Sequence, residues 1–167
     1  MLRWVVYIVV GLVGLVGIAA VIGLMLPKGH RASKTATYAA PPATVFAAVS
    51  DVARYAEWRS DVKKIDILPD DGHGVLFREH GKNGEILFRV EKAEPPARMV
   101  VRIADPTLAF GGTWTYELVA NGAGTTLTIT EDGEVYNPIF RFMGKIFFSP
   151  SATIEAYQAA LGRRLAG

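Results

Sequence analysis

The spacing of apolar positions changes twice along this chain. From Trp4 to Leu26 no charged residue interrupts an apolar run. From Val62 to Val135 apolar and polar residues alternate in short segments cut by Pro, Gly, Asp and Asn, which is the two-residue period of half-buried strands. From Asn137 to Leu165 the spacing becomes three and four. Ile139, Phe142, Met143 and Ile146 share one side, with Phe140 and Phe147 beside them, and Ile154, Tyr157, Leu161 and Leu165 resume the pattern after Pro150. That stripe predicts an amphipathic helix. Arg141, Lys145, Glu155, Arg163 and Arg164 mostly keep to its other side. Pro150 cannot donate to the helix ladder, so a break is expected near Phe148–Ser149. So apolar a helix requires a large partner surface, which the preceding strands would supply as a curved sheet.

Local signals divide the alternating part. Lys34 to Ala40 reads as a first strand, ended by Pro41-Pro42, and Pro42 suits the first turn of a helix carrying Val45, Phe46 and Val49. Asp51 is placed to cap a second short helix, Val52 to Glu57, before Trp58. Val62, Ile65, Ile67 and Leu68 form a strand closed by Pro69-Asp70-Asp71-Gly72, and Val75 to His80 is the next. Asn83-Gly84 signals a hairpin into Glu85–Lys92, where Ile86, Phe88 and Val90 alternate. Glu94-Pro95-Pro96 breaks that strand, Arg98 to Ala104 follows, and Thr113 to Val119 places Trp114, Tyr116 and Leu118 on one face. Asn121-Gly122 turns the chain into Thr125–Val135, with Leu127 and Ile129 on one side. The order is a strand, two short helices, about six antiparallel strands and a long helix. An α+β architecture follows: a meander of about seven strands whose apolar face is covered by the C-terminal helix, with the two short helices closing one end.

The first stretch stands apart. The 23 residues from Trp4 to Leu26 would span roughly 34 Å as a helix, enough for a hydrocarbon core of about 30 Å. Trp4 and Tyr7 fall where an interfacial aromatic belt would be. A cleaved signal peptide is the rival, but its apolar region is shorter, and Leu24-Met25-Leu26-Pro27 is a poor cleavage site. The expected division is therefore a transmembrane anchor over 1–27, a polar linker over 28–33 and one domain over 34–167. Lys28, Arg31 and Lys34 outnumber Arg3 and favour a cytoplasmic domain by a small margin. Ala19 and Gly23, four apart, suit a close helix contact, although glycine is also simply common in membrane helices.

Composition narrows the chemistry. The chain has 167 residues and a formal charge of +2 without a basic stripe, which argues against nucleic-acid binding. It has no cysteine, so disulfides and thiolate chemistry are excluded. His30, His73 and His80 are poorly spaced for zinc, and neither a metal nor another cofactor is called for.

Three stretches resemble the START-like, helix-grip superfamily (SRPBCC), and most of all its polyketide cyclase/dehydrase branch. They are Ala40 to Trp58, Gly111 to Leu118 and Asn137 to Phe142. The resemblance covers about Lys34 to Leu165 and concerns the fold, since none of the stretches is a catalytic motif. It implies a cavity between sheet and long helix able to hold a hydrophobic molecule. Such a cavity would be lined by Trp58, by Phe77, Phe88, Val90, Val101, Ile103, Trp114, Tyr116, Leu127, Ile129 and Glu131 from the strands, and by Phe142, Ile146 and Tyr157 from the helix.

Each polar or aromatic candidate has a plainer alternative. Trp58 lines one end of the cavity or, as expected here, pins the short helices to the sheet. Trp114 and Tyr116 are pocket or core aromatics. Glu131 shares the face of Leu127 and Ile129, where a carboxylate would orient a ligand or act as acid or base; a solvated position near the strand end is the expectation. Arg78, Glu79 and His80 place either Glu79 or the other two inward, and a solvated edge paired to Arg89 or Arg102 is the common outcome. Arg141, Lys145 and Phe148 share a helical face that would suit anionic headgroups, against an ordinary solvated face. No catalytic residue is assigned, because no nucleophile–base arrangement is visible. The leading expectation is a membrane-anchored module binding a lipid, quinone or isoprenoid. An interaction module with a filled core and a membrane-protein partner comes second. An enzyme of cyclase or dehydratase type, using Glu131, Tyr116 or His80, comes third.

Overall fold

Seven strands form one antiparallel sheet in the computed structural model of the chain, which describes residues 2–69, 71–82, 84–147 and 149–167. The strands are β1 (Gly29–Tyr38), β2 (Val62–Ile67), β3 (Leu76–Gly81), β4 (Gly84–Glu94), β5 (Arg98–Ile103), β6 (Phe110–Asn121) and β7 (Gly124–Val135). Their spatial order is β1-β7-β6-β5-β4-β3-β2. The last six are a meander, and β1 closes it by pairing with β7. One excursion, α2 (Pro42–Ser50), a 3-10 turn (Val52–Arg54) and α3 (Tyr55–Trp58), carries the chain from one edge strand to the other. The β6–β7 hairpin turns at Gly122, whose φ of +60° suits a residue without a side chain. A register shift between Val90 and Lys92 puts a bulge into β4, the kind of irregularity that bends a strand and helps a sheet curl.

Alternation decides what the sheet presents to the core. Phe77, Val101, Tyr116, Leu127 and Ile129 are at most 7% exposed on the concave face. They are covered by Ile154, Tyr157 and Leu161 of α5 (Pro150–Ala166) and by Val45, Phe46, Val49, Val52 and Tyr55 of the short helices. Each fully buried side chain of this kind contributes roughly 1.5–3 kcal/mol. Polar contacts fix the register of α5 on β1: the Tyr38 hydroxyl donates to the Gln158 carbonyl at 2.9 Å, and Gln158 Nε2 donates to the Lys34 carbonyl at 3.0 Å.

The structure corrects three expectations. β1 begins at Gly29, opposite Glu134, so most of the stretch expected as a linker (28–33) is strand; β7 is long enough to offer it partners. Asp51 makes no side-chain capping bond, and the expected second helix is a 3-10 turn followed by the single helical turn of α3. The C-terminal stretch divides at the expected break into two helices, but only the second, α5, covers the sheet. α4 (Pro138–Phe147) is capped by Asn137, whose side-chain oxygen accepts from the Ile139 amide at 2.9 Å. It lies mainly against α1 (Leu2–Met25), and it leaves Met143 41% and Ile146 56% exposed. Expectations placed on Asp70, Asn83, Phe148 and the side chain of Phe147 lie outside the described residues.

The α1–α4 contact depends on small size and one cation. At Gly23 a side chain would collide with the Pro138 carbonyl. The buried Arg141 guanidinium donates to the carbonyls of Gly23 and Leu26, each at 3.1 Å, and to that of Tyr136 at 3.0 Å. It thereby satisfies carbonyls that a helix end leaves without partners.

Candidate functional site: the inward face of the sheet and its two polar centres

Burial is uneven along the inward face of the sheet. Met99, Leu127 and Ile129 are fully buried, whereas Trp58, Phe88, Val90, Ile103 and Trp114 are half-buried. Tyr157 stands where the two parts meet. Its ring lies 5.3 Å from that of Trp58, 5.6 Å from Tyr116, 6.0 Å from Tyr55 and 6.2 Å from Trp114. Most of these contacts are edge-on, the arrangement ring quadrupoles favour.

The first polar centre lies beside this aromatic group. Arg59 follows α3, and its guanidinium sits 5.3 Å from the Tyr55 ring and 5.5 Å from the Tyr157 ring. It donates to both oxygens of Glu79, at 2.7 and 3.1 Å, and to Asp61 at 2.6 Å. Glu79 faces inward because it is two residues from Phe77 on β3. Burial raises the Glu79 pKa, and Arg59 offsets only part of that rise. Burial also opposes the charge of Arg59, but Asp61 and Glu79 outweigh it and hold the guanidinium ionised. Burial, reinforced by the neighbouring Tyr55, drives the Tyr116 and Tyr157 phenols well above their usual range. Burial takes Tyr55 to about 12. These phenols are therefore neutral hydrogen-bonding groups near pH 7. Tyr55 donates to the Val49 carbonyl at 2.6 Å, and Tyr157 donates to the Tyr55 hydroxyl at 3.3 Å.

The second centre lies beside half-buried Trp114. Glu131 faces inward between Ala32 and Trp114 in neighbouring strands. His30 Nε2 stands 3.4 Å from its carboxylate, and the Trp114 indole N–H donates to it. The His30 ring lies over Gly133, where any side chain would collide with it. Burial raises the Glu131 pKa, while His30 and then Trp114 pull it back. The two side chains remain 35% (His30) and 21% (Glu131) exposed, so a ligand atom has access to both.

Of the residues expected to line a cavity, twelve share this surface: Trp58, Phe77, Phe88, Val90, Val101, Ile103, Trp114, Tyr116, Leu127, Ile129, Glu131 and Tyr157. Phe142 and Ile146 do not, because α4 carries them away from α5. Glu131 is not the solvated end residue it was expected to be. Glu79 turns inward, while Arg78 and His80 turn outward toward Glu85 and Asp66. Arg89 and Arg102 pair instead with Asp71 and Glu91. Sequence reasoning missed Arg59 and His30; only the two-residue offset of Glu79 from Phe77 hinted at the first centre. Among the described residues, no group of three or more His, Asp or Glu could hold a metal ion. An open polar depression of about 490 Å³ lies at the β1–β7–β6 end, lined by Arg31, Arg102, Asp132 and Glu134 around several glycines.

A seven-stranded antiparallel sheet curled around a C-terminal helix, with short helices after the first strand, defines a helix-grip protein of the START type. The chain belongs to the family described as polyketide cyclase/dehydrase and lipid transport, which matches residues 29–164. No curated protein matches it in sequence. Among solved structures, a START superfamily protein from Mycobacterium smegmatis superposes with a TM-score of 0.64 at 23% identity, over 82% of this chain and 97% of that one. The Zhui aromatase/cyclase of a Streptomyces species gives 0.65 at 16% identity, over 83% and 94%. Norcoclaurine synthase from Thalictrum flavum gives 0.66 at 11% identity, over 83% and 87%. At these identities the likeness concerns the fold alone.

Proposed function

We propose that this protein is a single-pass, membrane-tethered module that binds a hydrophobic small molecule, such as a lipid, quinone or isoprenoid, in the concave groove. One observation carries the reading: an apolar band of Phe88, Val90, Ile103 and Trp114 stays half-buried and leads to the Glu131–His30 pair. The tail of the ligand lies along the band, where each buried methylene contributes about 0.8 kcal/mol. A hydroxyl or carbonyl at its head meets His30 and Glu131. α1 is the anchor; apart from Arg3 near its start it carries no charge, and almost all of its large side chains are exposed. The basic residues after it favour a cytoplasmic domain. Tethering keeps the groove close to a ligand that is itself dissolved in the bilayer.

Native mass spectrometry of the full-length protein, released from its own membrane in mild detergent, tests this reading. A co-purifying hydrophobic mass that is lost in Val90→Trp, which fills the band, supports it. An empty spectrum, together with unchanged Trp fluorescence when lipids, quinones and isoprenoids are added, sinks it.

An enzyme of cyclase or dehydratase type is the second reading, favoured by the inward cluster of Arg59, Glu79, Tyr55, Tyr116 and Tyr157. It separates from the first through Glu79→Gln, which leaves His30 and Glu131 in place: a carrier retains its ligand in that variant, whereas an enzyme that uses Glu79 as acid or base binds but does not turn over.

A further inference from the structure

α4 carries an apolar face that the fold does not use. Phe140, Met143 and Ile146 recur at every third position and are 54%, 41% and 56% exposed. On a helical wheel they lie on the side away from Arg141 and Lys145. Three adjacent exposed apolar side chains on a ten-residue helix call for a partner in a way that one isolated residue does not.

The neighbour of α4 indicates which partner. α1 has 24 residues, and crossing a hydrocarbon core takes about 20. Roughly one turn of α1 therefore projects beyond the core, and its C-terminal turn is the one that holds α4. Gly23 gives the Pro138 carbonyl its space, and Arg141 clamps the carbonyls of Gly23 and Leu26. Lys28 and Arg31 follow immediately in the chain, at the level where basic side chains meet lipid headgroups. A helix fixed there at its first turns has its apolar face within reach of acyl chains.

We propose that α4 is an interfacial helix, with Phe140, Met143 and Ile146 inserted into the acyl region of the leaflet beside α1. This rests on the reading of α1 as a membrane anchor. The same end of the sheet carries the start of β1, the end of β7 and the 104–109 loop, whose Ala109 carbonyl accepts from the Tyr136 amide at 2.8 Å. α4 therefore holds that end of the groove against the bilayer, and a ligand passes between lipid and groove without crossing water.

The cysteine-free chain allows single nitroxide labels on the full-length protein in vesicles of phosphatidylcholine and phosphatidylglycerol. The labelled variants are Met143→Cys, Val13→Cys in the middle of α1, and Glu117→Cys on β6. Collision with oxygen and with a water-soluble nickel chelate reports depth. Expected is a deep Val13 label, a Glu117 label in water, and a Met143 label about 5–10 Å below the headgroups. Its oxygen-to-nickel ratio should be several-fold above that of Glu117. Phe140→Ser combined with Ile146→Ser should return the Met143 label toward water. A Met143 label as water-exposed as Glu117, with Val13 deep, overturns the proposal and leaves the anchor standing. A Val13 label outside the bilayer overturns both. Shielding of Met143 from both reagents, or spin–spin broadening there, overturns the proposal in favour of a protein cover or a second copy.

Discussion

α4 and α5 are consecutive, each carries apolar residues at helical spacing, and they are differently employed. α5 buries Ile154, Tyr157 and Leu161 to 3% exposure or less. α4 leaves Phe140, Met143 and Ile146 largely exposed and is held through Arg141 and the contact at Gly23. An apolar stripe states that a helix requires a partner without stating which one. α5 meets the sheet because Tyr38, Lys34 and Gln158 lock it to β1. α4 precedes the break before Pro150 and lies instead against the C-terminal end of α1.

The largest way to break this contrast is at the buried ion pair under α5. Arg59→Leu leaves Glu79 unpaired among apolar groups and should cost about 3–5 kcal/mol by denaturant unfolding in mild detergent. The loss should shrink in acid, because the raised pKa of Glu79 lets it protonate there. A cost that does not change with pH would show that the pair does not govern this site. Leu161→Ala should cost about 2–5 kcal/mol, since its site has no solvent to fill the space. Ile146→Ala on α4 should change stability by no more than about 0.5 kcal/mol, as for an exposed position. Equal losses in the two would erase the distinction between the helices.

Arg141→Ala removes three hydrogen bonds to carbonyls at the α1–α4 junction. A loss of about 1–3 kcal/mol is expected, together with faster hydrogen exchange in α4 than in α5. Uniform exchange across both helices would contradict the clamp.

The smallest effect is a slope with pH. Glu131 has a raised pKa in the folded state, chiefly through burial. Its protonated form is therefore favoured by folding. That contribution is complete below the ordinary glutamate value and is lost as pH rises through the folded value. Glu131→Gln stays neutral, so its melting temperature should gain on the wild type as pH increases from about 4 to 7. A constant offset would show that Glu131 is solvated after all.

Much of the frame was legible in the residues. Alternation around Phe88, Trp114, Tyr116, Leu127 and Ile129 predicts both the strands and their inward faces, because a strand reverses its faces at every residue whatever it pairs with. The shared face of the strand residues expected around a cavity follows from the same alternation. The polar centres were only half visible. Parity put Glu131 on the face of Leu127 and Ile129 and left Glu79 open between two faces, and their partners His30 and Arg59 are distant in sequence, one in a stretch read as a linker and one just past a short helix. No local spacing marks them.

The chain by itself determined the periods: a stretch uncharged from Trp4 to Leu26 and long enough as a helix for a bilayer, seven strands, and amphipathic C-terminal helices broken at a proline. These follow from backbone geometry acting within a few residues. The tertiary structure alone decided which apolar stripe covers the sheet and which is left at the end of α1. It also decided which carboxylates gain a cation. Those outcomes depend on contacts between residues that only the closed sheet brings together, such as Glu131 with His30, Glu79 with Arg59 and Arg141 with the carbonyls of α1.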